Sequence, residues 1–247
     1  MFDILGPTII LSAHSRRLRP SQPLVPDAAV TFNYLIRDSA AWTLVFFALV
    51  ALAVFTQLTK KTTSKSLPVF LRALIKAAPA LFLSGLCFYL ELHLVGVGFL
   101  LCALGDILLD LPEERFPLAF EFGVGSFGVA LIVFAVASYY KPLAGHPLRP
   151  LAITNIAIAL FIIRWILSKI PPSRRKLELA YFALLIVSNF FASTSNAAVF
   201  LGSSLWFMSD LSIGLSTYVE DTPTNSLDTL GLYDLGLYFL AIGFMNL

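Results

Sequence analysis

Three aspartates lie inside or directly after long apolar stretches of the 247-residue sequence. Asp106 lies in the run GVGFLLCALGDILLD, which begins at Gly96 and ends at Asp110. Asp210 lies in a second run of the same kind, AVFLGSSLWFMSDLSIGL, and like Asp106 it follows a small residue. Because an ionised carboxylate is costly to place in hydrocarbon, an acid inside such a run indicates a functional site.

Two buried carboxyl groups can divide acid and base chemistry between them. Burial favours the protonated form of a carboxyl group, whereas a neighbouring cation favours the ionised form. One aspartate could therefore protonate a substrate atom, while the other stabilises the resulting cation or activates the water that captures it. The sequence does not show whether Asp106 or Asp210 would be the acid.

The composition indicates which elements hold these acids. Hydrophobic residues make up 58% of the chain and charged residues 13%, whereas a soluble domain carries about 25% charged residues. A soluble globular domain is therefore excluded, and no basic run is dense enough to indicate nucleic acid as a partner. The composition predicts an all-α, polytopic transmembrane helical bundle.

The hydropathy pattern predicts about eight transmembrane helices, since a helix needs about 17–25 apolar residues to cross a bilayer. Their approximate bounds are 40–58, 68–88, 92–111, 117–139, 150–168, 177–194, 196–217 and 229–246. We expect residues 39–247 to form a single transmembrane domain. Residues 1–38 are expected to be an N-terminal lead-in that is interfacial or loosely ordered.

Depth along the predicted helices brings further ionisable residues to the level of the two acids. Asp106 and Asp210 each lie about fourteen residues into parallel spans, roughly 21 Å from the helix start at ~1.5 Å per residue. Lys76 and Asp234 in antiparallel spans, and Arg164 in the fifth span, fall at a comparable depth. This layer is either a binding or catalytic site or a set of structural ion pairs that fix helix packing.

The remaining polar residues limit the kinds of site that the sequence predicts. Asp110 follows Asp106 by one helical turn on the same face, so it either supports that acid or lies in the headgroup zone at the helix end. The histidines at positions 14, 93 and 146 are too scattered for a ligand set, and no metal site or cofactor is predicted.

Five segments, in order from about residue 70, resemble the lysoplasmalogenases, a family of multi-pass, YhhN-like membrane enzymes. The segments are LIKAAPALFL with Lys76, FLLCALGDILLD with Asp106, ELAYFALLIVSN with Tyr181, LGSSLWFMSDLSIGL with Asp210 and GLYDLGLYFLAIGF with Tyr233. The resemblance implies a hydrolase that cleaves the vinyl-ether bond of lysoplasmalogens to a fatty aldehyde and a glycerophospho-base, without a cofactor.

The resemblance also implies roles for the residues of the charged layer. Asp106 and Asp210 would be the catalytic pair, and Lys76 would keep one of them ionised. Tyr181 and Tyr233 would orient the water or the lipid. The other residues expected to bind substrate or support the acids are Asp110, Asp234 and Arg164.

The chain departs from the family pattern at four positions. The family usually has a histidine and a tyrosine where this chain has Leu131 and Phe134, and a glutamine where it has Leu237. Asp234 stands where a second aromatic residue is common. The missing histidine, tyrosine and glutamine favour an alternative, in which the bundle is a lipid-binding protein or a transporter without hydrolytic activity.

The expected partners follow from these two alternatives. They are a lysophospholipid substrate and membrane lipids, without nucleic acid. The resemblance to eukaryotic family members implies an endomembrane location such as the endoplasmic reticulum. The sequence leaves the oligomeric state and the membrane orientation open.

Overall fold

A computed structural model describes residues 28–62, 67–140, 148–220 and 226–246 of the chain. Within these residues all regular structure is helical, as the sequence predicts. The α-helices are α1 (Ala28–Thr62), α2 (Val69–Tyr89), α3 (His93–Leu109), α4 (Ala119–Tyr140), α5 (Arg149–Leu167), α6 (Pro172–Ala192), α7 (Ala197–Leu215) and α8 (Ser226–Met245). A short π-helix, Ser216–Glu220, continues α7.

The described chain is divided after Trp42 into two units, of which the second begins at Thr43. The second unit contains α2 to α8 and the part of α1 that follows Trp42. Most of the predicted lead-in at residues 1–38 lies outside the described residues, and α1 begins within it at Ala28. The single transmembrane domain from residue 39 stays a prediction.

Six of the helices include a segment that is long and apolar enough to cross a membrane. These segments are Ala40–Leu58, Val69–Tyr89, His93–Asp110, Ala119–Tyr140, Arg149–Leu167 and Ala197–Val219. Helix α6 is not among them because Arg174, Lys176 and Glu178 lie in its first turns, and the apolar part of α8, Thr229–Met245, is shorter. The chain is therefore a multi-pass membrane protein.

The boundary between α6 and α7 depends on one asparagine. Helix α6 ends at Ala192, and after a turn the Asn196 side chain accepts a hydrogen bond of 2.9 Å from the backbone nitrogen of Val199, which caps α7. The same side chain donates a 2.8 Å hydrogen bond to the Gly243 carbonyl in α8. Asn196 therefore begins α7 after the turn that follows α6, and it also fixes α7 against α8.

Helices α7 and α8 pack so closely that glycine is required at their contact. A Cβ atom on Gly202 would lie 2.5 Å from the backbone nitrogen of Leu240 and 2.6 Å from the Gly236 carbonyl oxygen. Backbone atoms cannot rotate away as a side chain can, so a larger residue must separate the helices. Small residues permit such close approach in membrane helices.

We expect Gly202→Ala to destabilise the bundle, because overpacking a close contact costs roughly 1–3 kcal/mol. Thermal unfolding in detergent should show a lower Tm for this variant than for the natural chain. Gly125→Ala in α4 is the matched control, since a Cβ there meets no atom within 4 Å. An equal Tm for the two variants would contradict the close contact of α7 and α8.

Candidate functional site

A cavity of about 370 Å³ lies among α2, α3, α4, α6, α7 and α8, with Gln57 contributed by α1. This volume is within the range of roughly 300–1,000 Å³ found for small-molecule sites. The lining residues lie in the first halves of α2, α4, α6 and α8 and in the second halves of α3 and α7, which alternate in direction along the chain. The cavity therefore reaches one face of the bundle, the face on which the basic start of α6 lies.

Asp106 is 2% exposed and has a hydrogen-bonding or charged partner at each carboxylate oxygen. The Lys76 ammonium lies 3.5 Å from its Oδ1 atom, and the Tyr233 hydroxyl donates a 3.0 Å hydrogen bond to Oδ2. The three side chains come from α3, α2 and α8. The cation and the hydroxyl both stabilise the charged form of this carboxylate and oppose the cost of burying it.

A second ion pair stands one helical turn from the first. The Arg72 Nε atom lies 2.7 Å from Oδ2 of Asp110, and both side chains are 8% exposed. Arg72 precedes Lys76 by one turn of α2, and Asp110 follows Asp106 by one turn of α3. Because α2 and α3 are antiparallel neighbours, the two pairs form a short ladder between them. Asp110 also lines the cavity.

Asp210 has a different environment from Asp106, although both line the same cavity. The Tyr181 hydroxyl donates a 2.7 Å hydrogen bond to its Oδ2 atom, and Trp206, one turn earlier on α7, lines the same cavity. Within the described residues, no cation lies at ion-pair distance from Asp210. The two aspartates thus differ in the charge of their neighbours.

The small residue before each aspartate positions the helix that carries it. A Cβ atom on Gly105 would lie 2.6 Å from the Phe127 ring, so glycine lets this ring pack directly against α3. Ser209, 1% exposed, donates a 2.8 Å hydrogen bond to the Thr229 carbonyl and so joins α7 to α8. These contacts give a packing reason for the small residue in both aspartate motifs.

Aromatic rings form one wall of the cavity. Phe127 and Tyr233 have ring centroids 5.8 Å apart and nearly perpendicular planes, and Trp206 lies 5.8 Å from Tyr233 with similar geometry. Edge-to-face contacts of this kind fix ring orientation. They therefore hold the Tyr233 hydroxyl toward Asp106 and Trp206 beside Asp210.

Two residues predicted for the charged layer do not line the cavity. Asp234 is 3% exposed on α8, and its Oδ2 atom has no hydrogen-bond partner among the described residues. Arg164 is exposed on α5. The structure brings together the other six residues singled out from the sequence: Lys76, Asp106, Asp110, Tyr181, Asp210 and Tyr233.

Further cavity residues come from α1, α6 and α7 and are not singled out by the sequence patterns. They include Gln57, Arg174, Glu178 and Trp206. The signal for Trp206 was its place one turn before Asp210. The signal for Arg174 and Glu178 was their spacing, two turns and one turn before Tyr181, which puts all three on one helix face.

Three of the four departures from the family pattern are apolar residues that pack outside the cavity. Leu131 and Leu237 are 2% and 0% exposed. The Phe134 ring lies 6.0 Å from Trp206 and would touch any side chain added at Gly98, since a Cβ there would be 2.7 Å away. None of the three lines the cavity that contains the aspartates.

The described residues contain no group of three or more histidine, cysteine, aspartate or glutamate side chains placed to hold a metal ion. Asp106 is contacted by a lysine and a tyrosine side chain, and Asp210 by a tyrosine side chain. The arrangement can therefore exchange protons and stabilise a positive charge with its own side chains.

Comparison with known proteins agrees with the sequence resemblance. The model of the YhhN family, which includes lysoplasmalogenases, matches residues 71–244. No curated protein and no solved structure is significantly similar to the chain. The matched region runs from the start of α2 to the end of α8 and includes both aspartates, and the chain belongs to the YhhN family.

Proposed function

We propose that this protein is an integral-membrane hydrolase that cleaves the vinyl-ether bond of lysoplasmalogens. The observation that carries the proposal is the cavity, into which Asp106 and Asp210 enter with different partners. Membership of a family that includes lysoplasmalogenases supports the substrate class. Apolar and aromatic lining suits the chain of a lipid, and the basic face suits its headgroup.

The environments of the two aspartates support a division of roles. Asp106 is the ionised carboxylate, because Lys76 and Tyr233 act on its two oxygens. Asp210 is the general acid, because its hydrogen-bonding partner, Tyr181, is neutral. Tyr181 occupies Oδ2 of Asp210, so the proton is carried on Oδ1.

The proposed reaction consumes one water and needs no oxidant or reductant. Asp210 gives its proton to the vinyl carbon farther from the ether oxygen, which forms a C–H bond and leaves an oxocarbenium ion that Asp106 stabilises. Water adds to the carbon beside the ether oxygen and gives its proton to Asp106. The hemiacetal then breaks its C–O bond to glycerol as the hydroxyl proton moves to the leaving oxygen. Proton return from Asp106 to Asp210 through water restores the site.

The second candidate function is lipid binding or transport without cleavage. It is favoured by Leu131, Phe134 and Leu237, which replace polar residues usual in the family. The cavity argues for hydrolysis over transport, because its lining residues lie toward one face of the bundle. We also propose an endoplasmic reticulum location, which is implied only by the resemblance to eukaryotic family members and which microscopy of the tagged chain would test.

We expect the purified protein to release fatty aldehyde from choline or ethanolamine lysoplasmalogens, and Asp106→Asn and Asp210→Asn each to lower the rate by at least 10²-fold. The reason is that general acid or base catalysis typically contributes about 10²–10⁴-fold. Glu121→Gln is the matched control, because Glu121 is an exposed carboxylate of α4 outside the cavity. It should keep the natural rate.

The outcome that contradicts hydrolysis is an absence of aldehyde with every headgroup, while the natural chain unfolds cooperatively and binds the lipid. Activity retained in both asparagine variants would instead contradict the assignment of the site. Asp210→Asn should abolish aldehyde release even if Asp106→Asn retains a small fraction of the activity, because only Asp210 donates the proton that forms the new C–H bond.

A double-mutant cycle separates the ion pair's structural role from its catalytic one. Lys76→Gln alone leaves Asp106 without its cation and should lower stability, and adding Asp106→Asn should recover part of the loss. The coupling energy for residues in contact is about 0.5–3 kcal/mol. Aldehyde release should stay absent in the double variant although its stability recovers.

Unfolding in a denaturing detergent would measure the three variants beside the natural chain. Additive losses of stability would contradict a direct Lys76–Asp106 interaction. Recovery of activity together with stability would show that the pair serves packing alone.

A further inference from the structure

One face of α6 runs from the mouth of the cavity to the aspartates. Arg174, Glu178 and Tyr181 all line the cavity, at successive turns of this helix. At ~1.5 Å per residue, Arg174 lies roughly 10 Å along the helix axis from Tyr181. Tyr181 is hydrogen-bonded to Asp210, so the other two residues mark positions at increasing distance from the proposed acid.

Arg174 is the cation at the mouth. Its guanidinium lies 4.3 Å from the centre of the Phe120 ring, and its Nη2 atom lies 3.2 Å from a carboxylate oxygen of Glu113. The side chain is 35% exposed. A guanidinium has more N–H donors than one carboxylate contact uses, and its planar fork matches the oxygens of a phosphate. The ring and Glu113 therefore hold Arg174 in place without using all its donors.

Glu178 lies between Arg174 and the acids. The Tyr218 hydroxyl, from the π-helix after α7, donates a 2.8 Å hydrogen bond to Oε1 of Glu178. This bond uses one of the two carboxylate oxygens and turns the group into the cavity that it lines. A carboxylate in that position can accept a hydrogen bond from a hydroxyl group of a ligand.

We propose that this face of α6 recognises the polar part of a lysophospholipid in order along its length. The ether group lies at Tyr181 and Asp210, the free glycerol hydroxyl is bound by Glu178, and the phosphate is bound by Arg174. The short glycerol backbone fits within the length that separates these residues. The inference rests on the proposed function and adds the residues that distinguish a lysolipid with a phosphate headgroup.

Binding of uncleavable lipids tests the assignment without requiring catalysis. The full-length chain, in a maltoside detergent that carries no phosphate, is titrated with a saturated 1-O-alkyl-glycerophosphocholine. The comparison ligands are its analogue with the glycerol hydroxyl methylated, the 1-O-alkylglycerol without headgroup, and water-soluble glycerophosphocholine. The protein variants are Arg174→Gln, Glu178→Gln and the control Lys176→Gln, an exposed cation of α6 outside the cavity.

We expect the natural chain and Lys176→Gln to bind the phosphocholine lipid most tightly. Arg174→Gln should weaken its binding by about tenfold, the loss of one charge-assisted hydrogen-bonded contact, while binding of the alkylglycerol stays the same. Glu178→Gln should remove the preference for the free over the methylated hydroxyl. Glycerophosphocholine should bind far more weakly than the lipid.

Each assignment has its own result that would contradict it. Retention of the phosphate preference in Arg174→Gln overturns the phosphate site, and retention of the hydroxyl preference in Glu178→Gln overturns the hydroxyl site. Glycerophosphocholine binding as tight as that of the lipid overturns a lipid ligand. If these binding preferences are observed while aldehyde release is absent, the proposed lipid recognition is supported and the proposed hydrolysis is contradicted. If Arg174→Gln and Glu178→Gln both release aldehyde with an unchanged KM, the proposed hydrolysis is supported and the proposed lipid recognition is contradicted.

Discussion

The buried carboxylate of Asp106 is the constraint on which the rest of the bundle depends. A charge in a low-dielectric interior must be compensated, and Lys76 and Tyr233 do this from two other helices. The compensation therefore fixes α2, α3 and α8 at one level. Arg72 and Asp110 repeat the link between α2 and α3 one turn away, so that a sliding motion between these helices would break two ion pairs together.

Close packing makes that compensation possible. Gly105 admits the Phe127 ring against α3, and the ring in turn packs edge-on to Tyr233, whose hydroxyl reaches Asp106. Gly202 lets α7 and α8 touch backbone to backbone, and Ser209 joins the two helices by a hydrogen bond. The positions of the two carboxylates are thus set by residues that have no chemistry of their own.

The polarity of the site changes with depth. The mouth carries Arg174 and Glu113, which are 35% and 56% exposed, whereas Asp106 at the inner end is 2% exposed. Exposed charges interact weakly because water screens them, and buried charges interact strongly. A ligand that enters from the mouth therefore meets exposed charges that interact weakly before it reaches the buried charges that interact strongly. This order suits an amphipathic lipid and the proposed acid chemistry.

Particular residues show what the sequence by itself determined. The apolar runs with few charges were enough to predict a helical membrane bundle, because a helix satisfies its backbone polar groups within one segment. The same runs made Asp106 and Asp210 conspicuous, since their cost in hydrocarbon is visible without knowing their neighbours. Equal depth then brought Lys76 to the level of Asp106, where the structure has it.

Only the tertiary structure decided which residues of that level meet. Depth along a helix is a property of the sequence, but the direction in which a side chain points depends on how each helix is rotated and which helices are neighbours. Arg164 has a suitable depth and is exposed on α5, whereas Arg174 and Glu178 of the next helix line the cavity. The partners of Asp106 and Asp210 likewise come from helices far apart in the sequence, whose contact is set by the packing of the whole bundle.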